Sequence, residues 1–311
     1  MSVGYIQTFL SNFYHPEILK WKRKFAYSHF INKNLNQTKV FRTLEQIENN
    51  SLYLDLCIAG SDQIWNKNFT QNQFDPVYLL KFGDNFKKMS YAASTGIILE
   101  ETDYEELANK LNDFEIVSVR EEQLYDALKN KKLPLFQNVD PVFLLDKHSW
   151  EKYIESVNEI KPFILIYALE KNGEFNEIIQ KLNIYHKYQV IDISPYHVND
   201  DYECKYVDIC PPNKFLSYIN GADYIITNSF HATAFSLILH KEFTCIPHSV
   251  SGSRMLTLLK LADMQRHLDN GHKSYKPVIR EENFDKVDQI FSKEREKSLS
   301  LLKQYIKRER K

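Results

Sequence analysis

Between residues 223 and 239 the sequence changes its period, and no other stretch narrows the fold as much. Tyr224-Ile225-Ile226-Thr227 is short, apolar and largely β-branched, which reads as a buried strand. Asn228 and Ser229 are turn and N-cap residues. From Phe230 on, Ala232, Ala234, Phe235, Leu237, Ile238 and Leu239 suit a mostly buried helix, and the alanines let it sit close to a sheet. His231 then falls in the first helical turn. The first N–H groups of a helix lack internal partners and carry partial positive charge, so a phosphate or carboxylate is stabilised there. His231 adds a group that can donate a proton near neutral pH. A histidine packed into a helix cap is the alternative.

The same alternation recurs along the chain. Strands are predicted at 52–59, 88–94, 115–119 and 135–139, then at 163–169, 189–193, 206–209 and 243–246. Helices are predicted at 102–114, with Thr102 as N-cap, at 174–185, and at 211–220, where Pro211 opens and Gly221 closes the element. Strand–helix alternation is the pattern of parallel α/β sheets. The expected fold is two Rossmann-like, doubly wound parallel-sheet domains facing a cleft. The first domain spans 1–145, a helical linker with Trp150, Tyr153 and Ile154 spans 146–160, and the second domain spans 161–280. An amphipathic helix at 281–311 turns Val287, Ile290, Phe291, Leu302 and Ile306 inward and ends in the basic run Lys307-Arg308-Glu309-Arg310-Lys311. Near the start, residues 14–30 read as a helix with Ile18, Trp21, Phe25 and Phe30 on or near one face, and 43–48 as a short one.

Composition removes several functions. Hydrophobic residues are 43% and charged residues 26% of the 311, so the chain is globular. A net charge of −1 argues against nucleic acid as the main partner. Cys57, Cys204, Cys210 and Cys245 form no Cys-x-x-Cys pair and no His-Glu-x-x-His occurs, so no metal site is expected. A Gly-x-Gly-x-x-Gly fingerprint and a phosphate-binding lysine loop are also lacking, which weakens dinucleotide and ATP readings. No secretory signal opens the sequence and no apolar run would span a bilayer, so a reduced, cytoplasmic setting is expected. The basic end suits a solvated terminus or the anionic face of the inner membrane.

Polar residues gather where predicted strands end, which is where open α/β sheets bind ligands. After the first strand, Gly60 permits a turn, Ser61, Asp62, Gln63 and Asn66 offer donors and acceptors for sugar hydroxyls, and Trp65 offers a ring face. A capped helix start with a buried Trp fits the same residues. Ser94 follows the second strand, to meet a ligand or cap a turn. Arg120 follows the third, either clasping an anion or pairing with Glu121 or Glu122. Asp140-Pro141 reads as a turn. In the second half His248, Ser249 and Arg254 are candidates for an anion pocket beside His231.

Five blocks in order resemble the polysaccharide pyruvyl transferases. They are Gly60-Ser61-Asp62-Gln63-Ile64-Trp65-Asn66, Ser90-Tyr91-Ala92-Ala93-Ser94, Val117-Ser118-Val119-Arg120-Glu121, Val139-Asp140-Pro141-Val142-Phe143-Leu144, and the 223–239 stretch, with Cys245-Ile246-Pro247 and Ser253-Arg254-Met255-Leu256 behind it. The resemblance implies two sheet-bearing lobes in the GT-B manner. It also implies transfer of pyruvate from phosphoenolpyruvate, as co-substrate and with no cofactor, to two hydroxyls of a sugar as a cyclic ketal. The acceptor would be a surface polysaccharide or its lipid-linked oligosaccharide precursor. Family members usually begin with an extra strand and helix carrying an Asn-Tyr-Gly type motif. This sequence starts after it, so the first sheet is expected to lack a strand and the acceptor site a wall.

Phosphoenolpyruvate needs cations for two anionic groups, a donor for its methylene carbon and an acceptor for the sugar proton. Arg120 and Arg254 are assigned to the anions, helped by Ser229, His248 and Ser249. His231 donates the proton or holds the phosphate, and Asp62 positions or deprotonates the acceptor. Ser61, Gln63, Trp65, Asn66 and Ser94 line the acceptor side. This chemistry calls on no metal. Two other readings share these features: a glycosyltransferase using a nucleotide sugar, and a truncated, non-catalytic glycan-binding relative.

Overall fold

Four short parallel strands open the fold: β1 (Leu56–Ala59), β2 (Lys87–Ser90), β3 (Val117–Val119) and β4 (Leu135–Gln137). This computed structural model describes residues 16–50, 54–83, 85–159, 162–170, 174–183, 187–195, 202–249, 252–269, 271, 276–278 and 283–307. The strands β1 and β2 pair in parallel, as do β3 and β4. Bridges at Met89↔Ile116 and Ala93↔Val119 join β2 to β3, so the four run as one series in chain order. Buried Leu107, Leu111, Val117, Val119, Leu124 and Leu128 form its core with Trp65.

A second sheet contains β5 (Phe163–Tyr167), β6 (Gln189–Asp192), β7 (Lys205–Tyr206), β8 (Tyr224–Thr227) and β9 (Phe243–Cys245). All pairings are parallel and the order is β7-β6-β5-β8-β9. The chain winds outward from β5 through β6 to β7, then returns to the other side of β5 for β8. The order therefore reverses between β5 and β8. Phe163, Ile164, Leu165 and Ile166 are fully buried, as are Ile225 and Ile226, which is why these strands read as unbroken apolar runs.

The molecule is thus α/β with parallel sheets, and it divides into two compact units. The five-stranded unit comprises Met1–Thr38, His148–Ile246 and Asp269–Arg280, and the four-stranded unit comprises Lys39–Lys147, Pro247–Leu268 and Glu281–Lys311. The division differs from the contiguous one expected, for reasons of packing. The helix Pro16–Asn34 groups with the second sheet because Arg23 Nε donates to the Asp208 carbonyl at 2.6 Å and Nη1 to that of Pro195. The helix Phe284–Lys307 belongs with the first sheet. Phe291 stacks on Phe143 with ring centroids 4.0 Å apart, Asn138 Nδ2 donates to Ser298 Oγ at 3.0 Å, and the Tyr305 hydroxyl reaches Glu115. Its inward residues include Val287, Phe291 and Tyr305, whereas Ile306 is exposed.

Other boundaries moved. The helix expected at 102–114 spans Glu101–Lys110, and Glu100, not Thr102, precedes it as N-cap. Among the described residues, the linker is helical only over Lys147–Glu151. On the helix Pro16–Asn34, Ile18, Trp21 and Phe25 share a face, but that face is exposed, and Phe30, expected with them, is half-buried on the opposite side beside Leu19 and Ala26. Tyr14 and residues 308–311 lie outside the described residues.

The helix Phe230–Ile238 is buried almost throughout. Asn228, ahead of it, ties the ends of β5 and β8 together. Its Oδ1 accepts from the Leu169 N–H at 2.7 Å and its Nδ2 donates to the Glu170 carbonyl at 2.6 Å. Replacing Asn228 by Ala strands both backbone groups. We expect Asn228→Ala to lower unfolding stability by about 2 kcal/mol in urea denaturation. Asn228→Asp, which keeps only the acceptor, should fall between that variant and the parent.

Candidate functional site

In the four-stranded unit, every strand delivers polar side chains at its carboxyl end. Ser61 and Asp62 follow β1, Ser94 follows β2, Arg120 follows β3 and Asp140 follows β4. They form one network. Arg120 Nη1 donates to Asp140 Oδ2 at 2.7 Å, and Arg120 Nε donates to Glu121 Oε1 at 3.0 Å. Ser61 Oγ donates to the same Asp140 oxygen at 2.8 Å, while Ser94 Oγ donates to Glu121 Oε1 at 2.7 Å. Asp140 Oδ1 also takes the Val142 N–H, capping the short 3₁₀ turn Pro141–Leu144. The turn reading of Asp140 was therefore right but incomplete. The pairing of Arg120 with Glu121 is real, and Asp140 joins it.

Arg254, from the helix Gly252–Leu261, approaches the same cluster. Its Nη1 is 3.6 Å from Asp62 Oδ1, and Arg120 Nη2 is 3.8 Å from that oxygen. Both guanidinium groups are buried, whereas the Asp62 side chain is 59% exposed. Asp62, not Gly60, takes the left-handed backbone conformation here, with φ at 72°. The surroundings act oppositely on the two arginines. Burial disfavours the charge on Arg120, but Glu121 and Asp140 outweigh it and raise its pKa above the ordinary value. For Arg254, burial and then the charge of Arg120 lower the pKa, against a smaller pull from Glu121, Asp62 and Asp140.

Several expected acceptor residues turn out to be structural. Trp65 is 1% exposed, packs in the core and donates from Nε1 to the Tyr78 carbonyl, so its ring cannot stack on a sugar. The strand edge alone could not tell this. Asn66 is buried; it caps the turn Lys67–Phe69 and donates to Gln63 Oε1 at 2.6 Å. Ser94 is buried too, and besides Glu121 it serves the Gly96 N–H at 2.9 Å. Ser61 and Gln63 are half-buried. His248 and Ser249 belong to this unit, in the loop before Gly252–Leu261, half-buried and exposed respectively.

In the five-stranded unit, His231 lies in the first turn of Phe230–Ile238, just past the carboxyl end of β8 where the strand order reverses. Ser229 precedes the helix without a side-chain cap, its N–H held by Thr227 Oγ1 at 3.0 Å. Half-buried His231 lines a cavity of about 500 Å³ with Tyr167, Ser194, Cys210 and Phe215, and Arg23 and Tyr27 form another wall. Tyr27 is held there by its hydroxyl, which donates to the Cys210 carbonyl at 3.1 Å. Burial pushes the Cys210 thiol up to about 12, which disfavours a thiolate at this wall.

Arg23 and Tyr27 were missed because the first 50 residues carried no motif. One signal was present: at helical spacing, Arg23 falls among Leu19, Ala26 and Phe30, a charge on the inner face. Among the described residues, no group of three His, Cys, Asp or Glu side chains could hold a metal ion. No described helix is long and apolar enough to cross a membrane.

A family model described as polysaccharide pyruvyl transferase matches residues 3–250. No curated protein matches the chain. Among solved structures, a protein assigned as a UDP-N-acetylglucosamine 2-epimerase from Listeria monocytogenes is similar, with TM-score 0.54 and 10% identity over 88% of this chain and 83% of that one. A UDP-N-acetylglucosamine 2-epimerase from Rickettsia bellii has TM-score 0.41 and 13% identity, covering 85% of this chain and 78% of its own. At such identity the Listeria likeness speaks to the α/β fold alone.

The Arg120–Asp140 pair sets a measurable expectation. Removing the buried Asp140 carboxylate unbalances Arg120 and frees Ser61 and the Pro141–Leu144 turn. We expect Asp140→Ala to lower stability by about 3 kcal/mol. An Arg120→Met, Asp140→Ala double variant should lose less than the sum of the singles in a denaturation cycle.

Proposed function

The chain belongs to the polysaccharide pyruvyl transferase family, and from that premise we propose that it moves the pyruvyl group of phosphoenolpyruvate onto two hydroxyls of one sugar. The acceptor is a surface polysaccharide or its lipid-linked precursor, and the reaction takes place in the cytoplasm. One sugar hydroxyl adds to the central carbon of phosphoenolpyruvate as the methylene carbon takes a proton. The carbon–oxygen bond to phosphate breaks, and the second hydroxyl closes the cyclic ketal. The two hydroxyl protons balance the new methyl group and the departing phosphate.

The observation that carries this reading is His231. It stands on the first turn of a buried helix, at the reversal of strand order, on the wall of a cavity that Arg23 also lines. A proton donor beside the positive end of a helix dipole suits a substrate that is anionic and must be protonated. In the four-stranded unit, Arg254 is the better anion ligand of the two arginines. Arg120 is already balanced by two carboxylates of the fold, whereas burial and Arg120 both work against the Arg254 charge, and an incoming anion would relieve that. Asp62, exposed at the edge of the cluster, is suited to orient or deprotonate an acceptor hydroxyl, with Ser61 and Gln63 nearby in sequence.

The test is phosphate release from phosphoenolpyruvate with a panel of galactoside, mannoside and N-acetylmannosaminide acceptors. His231→Ala should lower kcat by about 100-fold or more. Arg254→Gln should raise KM for phosphoenolpyruvate by about tenfold with a smaller change in kcat. Near-normal turnover in the His231 variant would remove it from the chemistry. A rise in Tm with a nucleotide sugar, and none with phosphoenolpyruvate, would favour a glycosyltransferase instead.

A further inference from the structure

The helix Pro16–Asn34 shows solvent a face that packing does not explain. Its inner side is occupied by half-buried Leu19, Ala26 and Phe30, with Arg23 reaching the Asp208 and Pro195 carbonyls. On the other side Ile18, Trp21 and Phe25 are 50%, 74% and 68% exposed. Their spacing of three and four residues sets them in one stripe about 10 Å long. The same helical spacing puts Lys20 and Lys24 along one border of the stripe and Lys22 along the other, with Lys33 on that same side about 12 Å beyond the stripe's end, all four exposed. The helix contains a single acidic residue, Glu17.

We infer that this outer face docks the protein on an anionic lipid surface, with the Trp21 and Phe25 rings at the headgroup boundary and the lysines against lipid phosphates. An apolar centre rich in aromatic rings, bordered on both sides by lysine, is the arrangement that lies in a bilayer interface. Lysine stems let the charges reach upward while the rings go down. Charge complementarity chooses among occupants. A second copy of the helix, meeting face to face, would set lysine against lysine. Residues 1–15, the chain just ahead, contain no Asp or Glu and bring no countercharge. Phosphate headgroups supply both the charge and the apolar layer beneath it. The inference does not depend on the proposed chemistry.

The test is co-sedimentation of the full chain with vesicles of phosphatidylcholine alone and of phosphatidylcholine mixed with phosphatidylglycerol, without phosphoenolpyruvate. Wild type should pellet with the mixed vesicles and not with the neutral ones, and added salt should release it. Trp21→Ala with Phe25→Ala should weaken partition by about tenfold or more. Each of Lys20→Gln, Lys22→Gln and Lys24→Gln should weaken it by about fivefold. All these side chains are exposed, so melting temperatures should match wild type and binding losses will not reflect unfolding. Equal pelleting with both vesicle types, or undiminished binding by the Trp21 and Phe25 variant, would overturn the inference. So would a wild-type dimer that the same variant converts to monomer while vesicle binding is absent, since the stripe would then be a self-association face.

Discussion

Burying the Arg120 guanidinium requires a countercharge, and the way the fold provides it organises the four-stranded unit. Glu121 and Asp140 hold two edges of the group, and Ser61 and Ser94 bond to those carboxylates in turn. One cation thereby fixes the chain leaving β1, β2, β3 and β4. A buried charge left without such partners would cost several kcal/mol, so these loop positions are set tightly despite the short strands around them. Asp62 and Arg254 stand at the border of this balanced cluster, one exposed and one buried.

The five-stranded unit solves a different problem. Its strands β5, β8 and β9 are buried, and only the edge strand β7 is exposed, so the polar chemistry gathers at the strand ends. The order reverses between β5 and β8, which opens a crevice there. Asn228 closes the backbone around it with two hydrogen bonds, and the buried start of Phe230–Ile238 points its first N–H groups and His231 toward the same end. The helix Pro16–Asn34 completes the cavity wall with Arg23 and Tyr27. That one helix thus has an inner face committed to the cavity and an outer face of aromatic rings and lysines.

Some of this was legible beforehand and some was not, and the difference follows the range of the forces. The strand Tyr224–Thr227 and the start of the helix at Phe230 lie where the change of period put them, because both are set by local pattern. Arg120 stands at a strand end as expected, and its pairing with Glu121 is a neighbour interaction that the sequence makes plain. Trp65 misled because a tryptophan among polar residues fits a sugar platform and a core plug equally well. Asp140 hid behind its proline, since a turn explains Asp-Pro without any partner. Ile18, Trp21 and Phe25 share one side of a helix as expected, while Phe30 lies on the other, and helical spacing is silent on which side is covered.

What the sequence determined alone is the alternation of parallel strands and helices, the polar strand ends and the family, because each is written in residues close together in the chain. Only the tertiary structure decided which of those polar groups are already taken, which aromatic faces meet water, and that residues 16–34 wall the cavity of His231. Those outcomes rest on contacts between residues tens to hundreds of positions apart, such as Arg23 with Asp208 and Asn138 with Ser298. Burial is a property of the assembled layers, and no periodicity within one element encodes what will be laid against it.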